Sequence, residues 1–468
     1  MENDRICMFF DRQSLYYGRN SCYTDSANLK RRKDSCMQSN QKAPDIYKTS
    51  RVMYILEEML NYFVHILTSG AYLARITNAV GISDAVTGIL SSLISFACVA
   101  QLFSLFMMNK RSVKRFVTFG FLINQLLFVL LYLTPFIPIP NGARAYVLGA
   151  CLLASQLFSQ VVHSPKTTWF MSLVDDKKRG IFTANKEMIS LVSGMLFTFV
   201  MGAVVDRFDA QGNERGSFIF IAITLLVLCL FHTLSLVFSK EKTTSEKVVP
   251  EKVRLRELLA NPNLLKVMQV AMFWYVITYS TSPFYGTYVT KELGFSMVLI
   301  SVISALGCLA RALLSRPMGR FADKYSFSTM LILCFGFLSL ALLINTFTVP
   351  SNGKIFYTAY IVIHAFALAG INSSLINLIY DYVPSRMRVA ALAFQNILAG
   401  LIGFLATVIC SRLVAYIQSH GNQFLGINVY AQQILNAIGF VISLLAILYL
   451  CTVVKKIRRV TVDDTMPE

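Results

Sequence analysis

The sequence predicts an all-α membrane protein, with 12 transmembrane helices forming two six-helix bundles in a pseudo-twofold arrangement. Three observations carry this. The 468-residue chain is 55% hydrophobic and 15% charged, with a mean hydropathy of +0.57, too few charges to cover a soluble protein of this size. Twelve apolar runs approach the roughly 20 residues that a helix needs to cross a bilayer: 53–76, 84–108, 115–136, 143–165, 181–205, 217–238, 264–289, 296–318, 327–349, 354–380, 388–415 and 430–454. The first six runs also repeat weakly in the last six.

The net charge of +18 is a topology signal rather than a nucleic-acid footprint. The two tails and the even-numbered connections hold 35 Lys and Arg, whereas the odd-numbered connections hold only Arg144, Arg207, Arg215, Lys291 and Lys354. By the positive-inside rule both termini are expected in the cytoplasm, and the basic face also suits anionic lipid. No cysteine falls in an outer connection, so no disulfide framework is implied. Nor does an outer connection carry Asn-x-Ser/Thr. A multi-pass protein of a plasma membrane, bacterial in kind, is the expectation. Residues 1–50 contain no apolar stretch of signal-peptide type and read as a polar tail, with the Leu29–Lys33 basic run solvated or facing lipid.

The repeat sets the domain organisation. Thr77-Asn78-Ala79-Val80-Gly81-Ile82-Ser83 resembles Thr290-Lys291-Glu292-Leu293-Gly294-Phe295-Ser296 at an offset of 213. Met108–Ser112 aligns with Ala322–Ser326 at 214, and Lys178-Arg179-Gly180 with Met387-Arg388-Val389 at 209. The expected division is a tail (1–50), a first bundle (51–239), a charged linker (240–262) rich in Lys and Glu, a second bundle (263–456) and a short tail (457–468).

Between spans 8 and 9 the residues Arg316, Gly319, Arg320, Asp323 and Lys324 read as a short basic loop. Gly319 permits a tight turn, and Asp323 is placed where guanidinium groups or a helix amino end can hold it. This stretch resembles the signature of the major facilitator superfamily, Gly-x-Leu-Ala-Asp-Arg-x-Gly-Arg-Arg. Gly319, Ala322, Asp323 and Lys324 fit it, while Phe321 replaces the Leu, Ser326 the second Gly, and Phe327-Ser328 the closing basic pair. In the first half Asn109 replaces the Asp, so the loops are expected to latch the two states unequally.

Polar residues inside spans are costly and point to function. In span 1, Asn61, His65, Thr68, Tyr72 and Arg75 recur at steps of 4, 3, 4 and 3, on one helical face. That face serves either helix-to-helix hydrogen bonding or a cavity lining, and its length of about 21 Å favours the cavity. Span 4 adds Gln156, Ser159, Gln160 and His163. Span 7 adds Trp274, Tyr275, Thr278, Tyr279, Ser282 and Tyr285, with Pro283 expected to kink it. Span 10 adds His364, Asn372, Ser373 and Asn377. The resemblance implies that the first and fourth helices of each half line a central cavity, and these are the same four spans. Spans 6, 9 and 12 are plainer, with His232, Asn345 and Asn436 as isolated exceptions.

Charges deep in spans are few. Arg311 lies about 12 Å inward of Gly319 and is expected either to attract an anion or to pair with Asp381 or Glu187. Lys186 and Glu187 open span 5, at a gate. With few acids near the pathway, a neutral or anionic solute, sugar-like given the aromatic span 7, fits better than a cation. Coupling to a proton or sodium ion would use Glu187 or a histidine such as His65; facilitated diffusion needs neither.

The resemblance implies a transporter working by alternating access of two bundles about a midplane site, active as a monomer with a small-molecule substrate and the bilayer as its partners. The alternatives are a transporter-like sensor that binds without flux and an exporter of amphipathic compounds. No enzymatic motif, metal-ligand spacing or cofactor-binding loop appears in the sequence.

Overall fold

A computed structural model describes residues 46–101, 103, 112–174, 179–241, 255–383, 388–424 and 426–457. The tail before residue 46, the first-half loop around Asn109, the linker 242–254, residues 458–468 and the Asp323 side chain lie outside this description.

The first half runs α1 (Lys48–Leu67), α2 (Gly70–Ala79), α3 (Asp84–Ser91), α4 (Leu93–Ala97), α5 (Val113–Leu133), α6 (Asn141–Ser172), α7 (Arg179–Ala210) and α8 (Glu214–Phe238). The second runs α9 (Leu255–Ala260), α10 (Pro262–Thr287), α11 (Met297–Tyr325), α12 (Phe327–Thr346), α13 (Gly353–Tyr382), α14 (Arg388–Ser419) and α15 (Ala431–Thr452). A two-residue hairpin, Gln423–Phe424 with Ile427–Asn428, joins the last two helices. Among the described residues nine helices are long and apolar enough to span a membrane. The other three expected crossings fall to α1 with α2, to the stretch opened by α3 and α4, and to the tyrosine-rich α10.

Each half closes on its own apolar core. Leu67, Ile76, Leu131, Leu148, Val205 and Leu225 centre the first, and Leu264, Val270, Phe335, Ile371, Leu378 and Leu450 the second.

The repeat is visible as matching backbone chemistry. Gly81 (φ +79°) and Gly294 (φ +64°) each turn the chain through the left-handed region, which side chains disfavour. Two residues later Ser83 and Ser296 each accept a hydrogen bond from the third amide of the next helix, at 3.4 and 3.2 Å, the usual N-cap arrangement.

Two expectations need correction. The basic stretch 313–325 is helix, not loop: α11 continues to Tyr325 and only Ser326 separates it from α12. Gly319 is therefore a helical residue rather than the turn. The chain reverses at Ser326, whose hydroxyl caps α12 by accepting from the Thr329 amide at 3.1 Å. Span 1 is also not one helix. It breaks at Thr68-Ser69 and restarts at Gly70 (φ +55°). A Cβ on Gly286 of α10 would sit 2.4 Å from the Gly70 carbonyl oxygen, so α10 approaches the break at backbone contact.

Candidate functional site

The two halves meet mainly at the end away from the basic connections, where α2 packs on α10, α3 on α10 and α14, and α7 on α11. Lys291 Nζ lies 2.5 Å from Asp84 Oδ1, and Gln418 Nε2 donates to Asp84 Oδ2 at 2.9 Å. Asp206 of α7 accepts from the first two amides of α11, Met297 and Val298, each at 2.8 Å. A carboxylate there satisfies orphan donors and complements the helix dipole, so one half caps a helix of the other. Ser301 adds a bond from its hydroxyl to the Thr198 carbonyl at 2.9 Å.

Inside this seam lies a cavity of ≈ 280 Å³ between α1, α2, α7 and α11, lined among others by Tyr62, His65, Ser69, Tyr72, Thr198 and Ser304. His65 and Tyr72 of the expected stripe therefore share a cavity. Asn61 is half-buried on α1, and Thr68 spends its hydroxyl on its own helix, donating to Val64 O at 2.9 Å. Arg75 leaves the stripe because of the break. It pairs with Asp209, one Nη2–Oδ1 contact being 2.8 Å, beside a second cavity of ≈ 330 Å³ at the seam's outer edge.

The other expected residues are more dispersed. Gln160 accepts from Gln101 Nε2 at 2.7 Å, and Gln156 is half-buried. Trp274 is buried in the second core, its ring 6.4 Å from that of His364, which also stacks on Tyr360 at 5.4 Å. Tyr275 and Tyr279 stack on each other at 5.7 Å. Asn372 is exposed, as are Arg316, Gly319, Arg320 and Lys324. Arg311 pairs with Glu187 at 2.8 Å, joining α11 to α7 across the halves, one of the two partners expected for it.

The sequence reading missed a buried charge cluster toward the basic end. Lys166 of α6 is 1% exposed and lies 3.0 Å from both Glu57 and Glu58 of α1. Lys186 of α7 reaches Glu58 at 3.2 Å and sits 4.6 Å from the centre of the Tyr54 ring. His232 of α8, fully buried, places Nε2 2.9 Å from Glu57 Oε1. A carboxylate oxygen only accepts, so Nε2 carries the proton. Two carboxylates then face two ammonium groups and the imidazole N–H, so no buried charge in the cluster stands alone. His232 is thus no isolated exception.

Asn345 and Asn436 are not isolated either. The Tyr285 hydroxyl donates to Asn436 Oδ1 at 2.6 Å and accepts from Asn345 Nδ2 at 3.1 Å. Asn436 Nδ2 returns to the Asn345 carbonyl at 3.2 Å, so α10, α12 and α15 are pinned by one buried network.

Two bundles, each with its own core, facing a cavity lined from both sides, define a membrane transport protein rather than an enzyme. The model of the Major Facilitator Superfamily matches residues 58–407, and the chain belongs to that family. Solved structures that share the fold include the following three. The nucleoside transporter NupG is 12% identical over 87% of this chain and 99% of its own, with a TM-score of 0.66. A D-xylose-proton symporter is 12% identical over 90% and 100%, at 0.67. A bacterial homologue of the human lysosomal transporter Spinster, in an inward-facing and unoccupied conformation, is 14% identical over 91% and 99%, at 0.62. No curated protein sequence matches the chain significantly.

Proposed function

We propose that the protein moves a small neutral or anionic solute across a plasma membrane by alternating access, as a monomer with both termini cytoplasmic. The observation that carries this reading is the seam. Asp84, Asp206 and Gln418 bind the two halves at the end opposite the basic connections, while a cavity within is lined by both halves. The charge asymmetry supports a cytoplasmic basic end, and on that reading the seam closes the outer side. Neighbours of the same fold include sugar-proton and nucleoside carriers, which supports a polar organic substrate.

For coupling to a proton or sodium ion the groups remain Glu187, paired with Arg311, and His65, at the cavity, whereas Glu58 is committed to Lys166 and Lys186.

The test is to bridge Asp84→Cys and Lys291→Cys in a cysteine-free background with a short bis-methanethiosulfonate, which forms a disulfide to each cysteine and releases methanesulfinate. Proteoliposome uptake should stop on bridging and return on reduction. Uptake that continues through a bridged seam would refute alternating access here, and binding without any flux would favour the sensor.

A further inference from the structure

The two faces of α11 serve different surroundings. Toward the other half it presents Ser301 and Arg311, bonded to α7, with Ser304 and Cys308 at the ≈ 280 Å³ cavity. About half a turn away, Val302, Leu306, Leu309 and Leu313 recur at steps of 4, 3 and 4 and are 40–68% exposed. The same face runs on into Arg316, Arg320 and Lys324, at steps of 3, 4 and 4, all exposed. The cations share a face with the apolar run because 313–325 is helix.

The dimensions fit one leaflet of a bilayer. Val302 to Leu313 rises about 17 Å, close to half of a hydrocarbon core of roughly 30 Å. Arg316 then lies about 5 Å beyond Leu313, and Arg320 about 6 Å further, at headgroup depth. Among the described residues no carboxylate pairs with these cations. With Asp323 counted, 315–325 still carries a net charge of +2. Duplication does not account for the basic ladder either. At an offset of 214 the first half has Leu102, Phe106 and Lys110 in the places of the three cations.

We propose that this face of α11 binds an anionic phospholipid from the leaflet at the basic end. The phosphate lies between Arg316 and Arg320, whose planar guanidinium groups suit phosphate oxygens. Lys324 flanks the headgroup from the water side, and one acyl chain follows Leu313, Leu309 and Leu306. A soluble acidic partner would use the charges alone, whereas the apolar run leading into them calls for a ligand with a tail. The site needs only the membrane and does not rest on the transport reading.

The test places full-length protein in vesicles of phosphatidylcholine and phosphatidylglycerol in equal parts, with bromine on the chains of one lipid at a time. A bimane label on Leu309→Cys, in a cysteine-free background, is quenched by brominated chains that touch it. The quenching should show a preference for phosphatidylglycerol of about fivefold or more, the factor expected for each cation near a membrane surface. Arg316→Gln with Arg320→Gln should bring the ratio close to one and leave Tm unchanged, since both side chains are exposed. Lys455→Gln with Lys456→Gln removes two other exposed cations, beyond α15, and should leave the ratio as it is. Equal quenching by the two lipids in the parent would overturn the site, and so would a preference that survives loss of both arginines. An equal fall with the lysine pair would also overturn it, by tracing the preference to overall surface charge.

Discussion

The two halves share a fold but are pinned by different chemistry at opposite ends. In the first half, Glu57, Glu58, Lys166, Lys186 and His232 tie α1 to α6, α7 and α8 near the basic end. In the second, Tyr285, Asn345, Asn436 and Gln432 tie α10 to α12 and α15 near the other, with no formal charge among them. An ionic pin in low dielectric is expensive to break because a partner is left charged and unpaired. A neutral pin loses only hydrogen bonds. Duplication therefore preserved the scaffold, while the means of rigidifying it diverged.

The largest expected effect comes from Lys166→Met. It leaves Glu57 and Glu58 facing each other with a single ammonium group nearby, at a cost of about 3–5 kcal/mol. Yield of folded protein and Tm in detergent should fall sharply. Adding Glu57→Gln should recover part of the loss, since it removes the orphaned charge. If Lys166→Met were as stable as the parent, the ionic pin would be a coincidence of packing.

A smaller loss, about 1–3 kcal/mol, is expected for Asn436→Leu, which removes the acceptor of the Tyr285 hydroxyl and the side-chain donor to the Asn345 carbonyl without leaving a charge unpaired. A thermal melt that ranks this variant below Lys166→Met would invert the comparison.

The second half's pin is poorly legible because its inter-helix bonds join residues 60–151 apart and each helix shows only isolated polar residues in an apolar run. The first half's pin failed differently. Lys166 falls just outside the apolar run 143–165, whereas α6 carries Pro165 inside and runs on to Ser172. Pairings such as Lys166 with Glu57 and His232 with Glu57 bridge 109 and 175 residues, and helical periodicity reaches only its own helix. What could be read was local or periodic: the apolar runs, the Gly81/Gly294 repeat, and the need of Arg311 for a carboxylate. The break at Ser69 is not legible because Gly70 in an apolar run reads as a tolerated residue, and the α10 backbone that packs against it comes from the other half of the chain.

The smallest effect concerns a titratable group beside the neutral pin. Glu292, in the turn after α10, has its pKa raised by burial first and by the Asp84 carboxylate next, with Lys291, Gln418 and Asn422 pulling the other way. Opening the seam would expose Glu292 and move Asp84 away, returning it toward the ordinary value of about 4.3. The closed state therefore binds the proton more tightly. Its added stability is complete below that ordinary value and is lost as pH rises through the raised one. Spin labels at Gln211→Cys and Ser351→Cys, both exposed at the outer end of their halves, would report the opening as a distance. Acidification should shift the distribution toward the short separation, by less than about tenfold in population because the group is half-exposed and screened. Glu292→Gln should flatten that pH dependence. If acid instead lengthened the distance in the parent, Glu292 would not be the group that ties closure of the seam to pH.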